Sequence, residues 1–152
     1  MKDLNQLVED FKKVAQLAGV DIPHDSITWD KDEKKAHSPC LPSGKMAVYV
    51  FFWGDKCLKV GKVGPKSGAR YTSQHYNPNS SKSNLAKSIL KHKTELGLTN
   101  VTDSTVGNWI KSNTRRVNFL LDQSLGIRVL SLMESFLQCR LRPIFEGLDS
   151  QK

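Results

Sequence analysis

The chain has 152 residues and a mass of 17.1 kDa, enough for one domain whose core needs no disulfides. Hydrophobic residues make up 38% and charged residues 25%, which excludes a chain disordered by composition and gives no apolar run long enough to span a membrane. Lys and Arg number 23 against 15 Asp and Glu, a net charge of +8.

That charge is uneven. Residues 1–55 carry 7 basic and 9 acidic side chains, residues 56–118 carry 12 and 2, and residues 119–152 carry 4 and 4. A basic middle third suits a polyanion, of which nucleic acid is the common one; a lysine-rich solvated surface gives the same count.

In chain order, MKDLNQLVEDFKK is charged throughout and does not read as a secretory signal. Leu4, Leu7, Val8, Phe11, Val14, Ala15, Leu17 and Ala18 predict a helix over 4–18, capped by Asp3 and stopped by Gly19. Residues 20–45 hold three prolines and the run DKDEKK, and predict a long connection with a short strand at Ile27–Trp29. The run MAVYVFFW over 46–53 predicts a buried central strand, with a hairpin turn at Gly54-Asp55 and a return strand over 57–63. A short helix is expected around Ala69–His75, then a polar loop, then an amphipathic helix over 84–96 stopped by Gly97. Residues 105–113 suggest a further helical turn or two, 116–121 a strand, and 124–142 a long helix ended by Pro143. This order predicts an α+β fold with a small antiparallel sheet flanked by helices. Residues 1–44 form its N-terminal helix and irregular connection, and 45–148 its main domain.

Cys40, Cys57 and Cys139 are odd in number and widely spaced, with no CxxC pair, and the four histidines lack metal-binding spacing. Neither a disulfide framework nor a zinc site is expected, and a reducing, cytoplasmic setting fits.

Two places carry chemistry the core does not need. Glu134 lies among apolar residues of the last helix, where a carboxylate must be ion-paired, hydrogen-bonded or bound to a metal. A buried salt bridge to a neighbouring arginine is the plain structural account. In the hairpin, Tyr49 sits mid-strand, with Lys59 and Lys62 in the return strand. Lysines defending an edge strand are the plain account there. A two-residue turn puts Tyr49 on the face of Lys62, and a three-residue turn puts it on the face of Lys59. Arg70 and His75 follow in the short helical stretch.

Together these residues resemble the GIY-YIG nuclease superfamily, over roughly residues 45–146. Ala47-Val48-Tyr49 resembles the first motif and Lys59-Val60-Gly61 the second. Arg70 matches the family arginine, Glu134 in LMESFLQCRLRP the family glutamate, and Pro143 the proline after it. Lys59 stands where the second motif usually has tyrosine, as in some restriction endonucleases of the superfamily. Glu146 stands near where the family often has asparagine.

The resemblance implies phosphodiester hydrolysis with one divalent metal, Mg2+ or Mn2+, on Glu134. It implies that Arg70 stabilises the phosphate and that Tyr49 activates water with help from Lys59 or Lys62, with His75 a further participant. Lys82, Lys87, Lys91, Lys93, Lys111, Arg115 and Arg116 would then form a phosphate-contacting surface. The expected activity is that of a DNA endonuclease, with no membrane partner. Two alternatives are a nucleic-acid-binding module on the same fold without catalysis, and an RNA nuclease. A small protein-interaction domain is a third reading.

Overall fold

The computed structural model describes residues 3–32, 37 and 39–145. Four strands form one antiparallel sheet in the order β1-β4-β2-β3: β1 is Ile27–Asp32, β2 Lys45–Trp53, β3 Lys56–Val63 and β4 Arg115–Asp122. The α+β class is therefore present. The short strand expected at Ile27–Trp29 is present and longer: β1 reaches Asp32, pairs along β4 and joins the hairpin and later strand in the sheet.

One face of the sheet is covered by α1 (Leu4–Leu17) and α5 (Gly126–Leu141). Met46, Val48, Val50, Val60, Val117, Phe119 and Leu121 point to it and meet Leu7, Phe11, Met133 and Leu137 from the helices. Asp3 caps α1 as expected, its carboxylate accepting from the backbone N–H of Asn5 at 2.9 Å. The N-terminal helix thus shares a core with the strands.

The other face is covered by α2 (Gly68–Thr72), a 3-10 turn at Gln74–Tyr76, α3 (Leu85–Lys91) and α4 (Val106–Asn113). The helix expected over 84–96 is shorter, since regular helix ends at Lys91 and turns carry the chain to Gly97 at φ +70°. Asn84 explains where α3 starts. Its Oδ1 accepts from Lys87 N–H at 2.8 Å, and its Nδ2 donates to the carbonyls of Pro78 and Ser81. Gly107 lets α4 cross the 3-10 turn closely: a Cβ there would sit 2.5 Å from the Tyr76 carbonyl oxygen.

The hairpin resolves which lysine accompanies Tyr49. The turn has two residues and pairs Trp53 with Lys56, but a bulge follows, so that Phe52 faces Cys57 while Phe51 faces Lys59. Leu58 is the extra residue. The bulge sends Tyr49, Phe51, Lys59 and Gly61 to one face and Val48 and Lys62 to the other. Beyond α5, the N–H groups of Ile144 and Phe145 donate to the carbonyls of Cys57 and Leu58. These bonds cover the start of the edge strand. Glu146 and the proposed boundary at 148 lie outside the described residues.

Candidate active site

Tyr49 is opposite Gly61 across the β2-β3 pair, and its ring lies over that glycine. A Cβ on Gly61 would stand 2.6 Å from the Tyr49 hydroxyl oxygen and 2.7 Å from Cζ. No side chain but hydrogen leaves room there. The close approach carries the hydroxyl across the edge strand.

His75 meets that hydroxyl, with Nε2 2.6 Å from the Tyr49 oxygen. On the other side of the ring, Nδ1 accepts from the Leu85 N–H at 3.2 Å, which satisfies one of the free donors at the start of α3. With Nδ1 accepting, the proton of a neutral imidazole resides on Nε2, and Nε2–H donates to Tyr49. Burial and the charges of Lys59, Arg116 and Arg70 push His75 down to about 2, so the ring is neutral at physiological pH. His75 is therefore a fixed donor to the tyrosine oxygen.

The Tyr49 hydroxyl itself is raised above the ordinary tyrosine range, first by burial. Arg70 opposes this by charge and by hydrogen bonding, Arg116 opposes it by charge, and Glu134 reinforces it. Arg70 reaches the site from α2, with its residue largely exposed to solvent. Lys59 is only 7% exposed, on the same face as Tyr49.

Glu134 approaches from the opposite face. It projects from α5 with its side chain 17% exposed, and its Oε2 accepts from Lys62 Nζ at 2.5 Å. The ion pair expected of this carboxylate exists, but with a lysine of β3 and not with an arginine. Lys62 is in line with Val48 on the α5 side of the sheet, so Glu134 and Tyr49 come from different faces and act on each other around the edge strand at Gly61.

The proposed phosphate surface divides. Lys82, Lys87 and Lys91 are exposed around α3, and Lys93 is partly exposed just beyond it. Lys111 lies over the Tyr76 ring at 5.4 Å. Arg115 lies over Phe52 at 5.2 Å and lines a hollow with Leu4, Leu7 and Leu141, on the α1 side. Arg116 is 0% exposed and cannot be a surface phosphate contact. On β4 it is opposite Phe51, so the alternation of the strand turns it inward, among Tyr49, Phe51 and Tyr71.

Sequence reasoning also passes over Asn118, Tyr76 and His37. Arg116 Nε donates to Asn118 Oδ1 at 2.8 Å, and Nη1 donates to the Tyr76 hydroxyl at 3.1 Å. Asn118 Nδ2 donates to Asp30 at 2.7 Å. His37 bridges Tyr76 and the Thr114 carbonyl, at 3.2 and 2.9 Å. The available signal is the two-residue period of β4, which sets Arg116 and Asn118 on one face of a central strand.

Among the described residues no helix is long and apolar enough to cross a membrane, and no three His, Cys, Asp or Glu side chains gather as a metal cluster. No protein-family model, no curated protein and no solved structure matches this chain.

Proposed function

We propose that the chain is a metal-dependent phosphodiesterase of the GIY-YIG type, acting as a DNA endonuclease. The observation that carries this reading is the placing of two pairs at neighbouring residues of an edge strand, Gly61 and Lys62. Tyr49 with its His75 donor comes from one face of β3, and Glu134 with Lys62 comes from the other. The order of these residues along the chain is the one that the resemblance rests on, and the pairing of Tyr49 with Gly61 sets its two motifs side by side.

The donor set suits a hard cation. Glu134 is a half-buried carboxylate that already holds one positive group, the Lys62 ammonium, and a single carboxylate completed by water is an ordinary Mg2+ environment. Bound there, such an ion would supply a counter-charge for the scissile phosphate and for a Tyr49 phenolate.

The protein's own groups account for the rest. As the phenolate left when its own proton has passed to solvent, Tyr49 accepts a proton from the attacking water, whose oxygen attacks phosphorus as the bond to the leaving oxygen breaks and that oxygen takes a proton from solvent. The His75 Nε2–H and Arg70 lie against the tyrosine oxygen and stabilise the negative charge it carries as a phenolate, before it takes the proton. Arg70 is exposed enough to meet the phosphate as well, where a guanidinium fits the anionic oxygens. Lys82, Lys87 and Lys91 hold the neighbouring backbone without reading its bases.

The test is cleavage of a panel of duplex DNA, single-stranded DNA and RNA with Mg2+ or Mn2+. Glu134→Ala and Arg70→Ala are each expected to lower the rate at least ~100-fold, the scale of losing one charge-stabilising group, with the fold retained. Full cleavage by either variant contradicts the mechanism. The Lys62–Glu134 ion pair favours a second reading, a binding module on this fold, which gives salt-sensitive binding and no product.

A further inference from the structure

Arg116 is a charged side chain in an unusual setting. It is fully buried, and among the described residues no carboxylate forms an ion pair with it. Its guanidinium carbon lies 4.4 Å from the centre of the Tyr71 ring, 5.0 Å from that of Tyr49 and 5.2 Å from that of Phe51. Asn118 and Tyr76 each take one N–H, and among the described residues Nη2 has no hydrogen-bond partner. Asp30 is reached only through Asn118.

Such an arrangement is costly if its purpose is stability. Arginine keeps its charge when buried, and a buried charge without a counter-ion loses its hydration for little return. Three ring faces recover part of that loss. An apolar residue of similar length would pack the same cage without it. What the cation offers is a fixed positive potential against the Tyr49 ring from a buried position, whereas Arg70 is exposed.

Building on the proposed function, we propose that Arg116 is a positioning residue for the reaction: a caged cation that favours the phenolate of Tyr49 from within the core. A cation over the face of a phenol ring binds the ring more strongly once the ring carries negative charge. The hydrogen bonds to Asn118 and Tyr76 hold the guanidinium in that place, and His37 in turn holds Tyr76. The direction of the charge effect agrees, since Arg116 draws the Tyr49 hydroxyl down against its burial.

The other groups acting on Tyr49 are named by element. They are Arg70 and Tyr71 from α2, His75 from the 3-10 turn, and Glu134 from α5. Lys59 of β3 acts on His75, and Lys62 of the same strand is held by Glu134. All of these remain in the chain when Arg116 alone is changed.

The experiment is an ultraviolet titration of tyrosine ionisation in the full chain, with Tyr49→Phe identifying the Tyr49 component. Arg116→Met is expected to move that component up by about one pH unit or more, the scale of removing a cation from this distance. Arg116→Lys, which keeps the charge, is expected to move it by less than half as much. A role that is merely structural would make the lysine variant as disruptive as the methionine one. Arg116→Gln removes the charge but keeps a polar head, and is read in the same way if Arg116→Met does not fold. A Tyr49 titration unmoved in a folded, uncharged variant overturns the proposal. The titration needs neither metal nor substrate. Cleavage with an unmoved titration therefore sinks the role of Arg116 alone, and a shifted titration in a protein that cleaves nothing sinks the nuclease reading alone.

Discussion

The two faces of the sheet are built on different terms. Towards α1 and α5 the strands present Met46, Val48, Val50, Phe119 and Leu121, and the helices answer with Phe11, Met133 and Leu137. Towards α2, α3 and α4 the same strands present Tyr49, Phe51, Lys59, Arg116 and Asn118, and the covering segments answer with Tyr71, His75 and Tyr76. The first face buries apolar area and keeps its charged pairs at the rim, Lys62 with Glu134 and Arg140 with Asp10 among them. The second buries a cation, a neutral histidine and a phenol in one connected set of rings and hydrogen bonds. Burial of apolar area is the direct route to stability. Buried polar groups add little net and cost much when a partner is lost. The second face has an apolar core as well, with Leu58, Val63, Leu85, Ile89 and Ile110, and sets these polar groups into it next to the open edge strand, the layout of a stable base carrying a chemical layer.

Substitutions that separate the two faces sharpen or break this contrast. The largest stability effect belongs on the apolar side. Phe11→Ala is expected to cost about 3–5 kcal/mol in denaturant unfolding, the range for deleting a fully buried aromatic ring. The same variant should keep its cleavage rate at temperatures where it remains folded. A loss of activity in the folded variant would mean that the faces are not separable.

Gly61→Ala comes next. Its methyl would collide with the Tyr49 ring, which is enclosed by Phe51, Tyr71, His75 and Arg116 and has no free side to move to. A cost of roughly 1–3 kcal/mol is expected, as for overpacking, together with near-complete loss of cleavage. A variant with unchanged cleavage would show that the position of the Tyr49 hydroxyl does not matter.

The last effect is a slope against pH, which is spread over several pH units. His75 titrates near 6.5 when unfolded and at about 2 when folded, so the unfolded chain binds the extra proton between those values. Its contribution to stability is present above pH 6.5 and is lost as pH falls from 6.5 towards 2, at no more than ~1.4 kcal/mol per pH unit. His75→Phe should be less stable at neutral pH and show a shallower loss on acidification, measured by unfolding at several pH values. An unchanged slope would mean that His75 is not held neutral.

Much of the fold is legible along the chain because its elements carry strong periodic signals. Asp3 and Gly19 bracket α1, MAVYVFFW marks β2, and Pro143 lies just beyond α5. The errors sit where tertiary contacts override local pattern. β1 runs to Asp32 through the charged residues Asp30 and Lys31 because β4 supplies its hydrogen bonds. The bulge at Leu58 leaves no mark in the sequence, yet it decides that Lys59 and not Lys62 shares a face with Tyr49. At the site, Tyr49, His75 and Glu134 are legible by type and order. Net charge groups Arg116 with the surface cations, since it does not say which way a strand turns its side chains. Asn118 and His37 are recognised only through the partners the fold brings to them.

The central claim is that the edge of β3 at Gly61 is a cutting site assembled from both faces. The most direct measurement is single-turnover cleavage of duplex DNA with Mg2+ or Mn2+, comparing the native chain with Tyr49→Phe and Glu134→Ala. Metal-dependent cleavage by the native chain, with both variants folded and at least ~100-fold slower, is the predicted result. Cleavage that persists in either variant, or a folded native chain that binds the panel of nucleic acids but cuts none of it with either metal, would contradict the account.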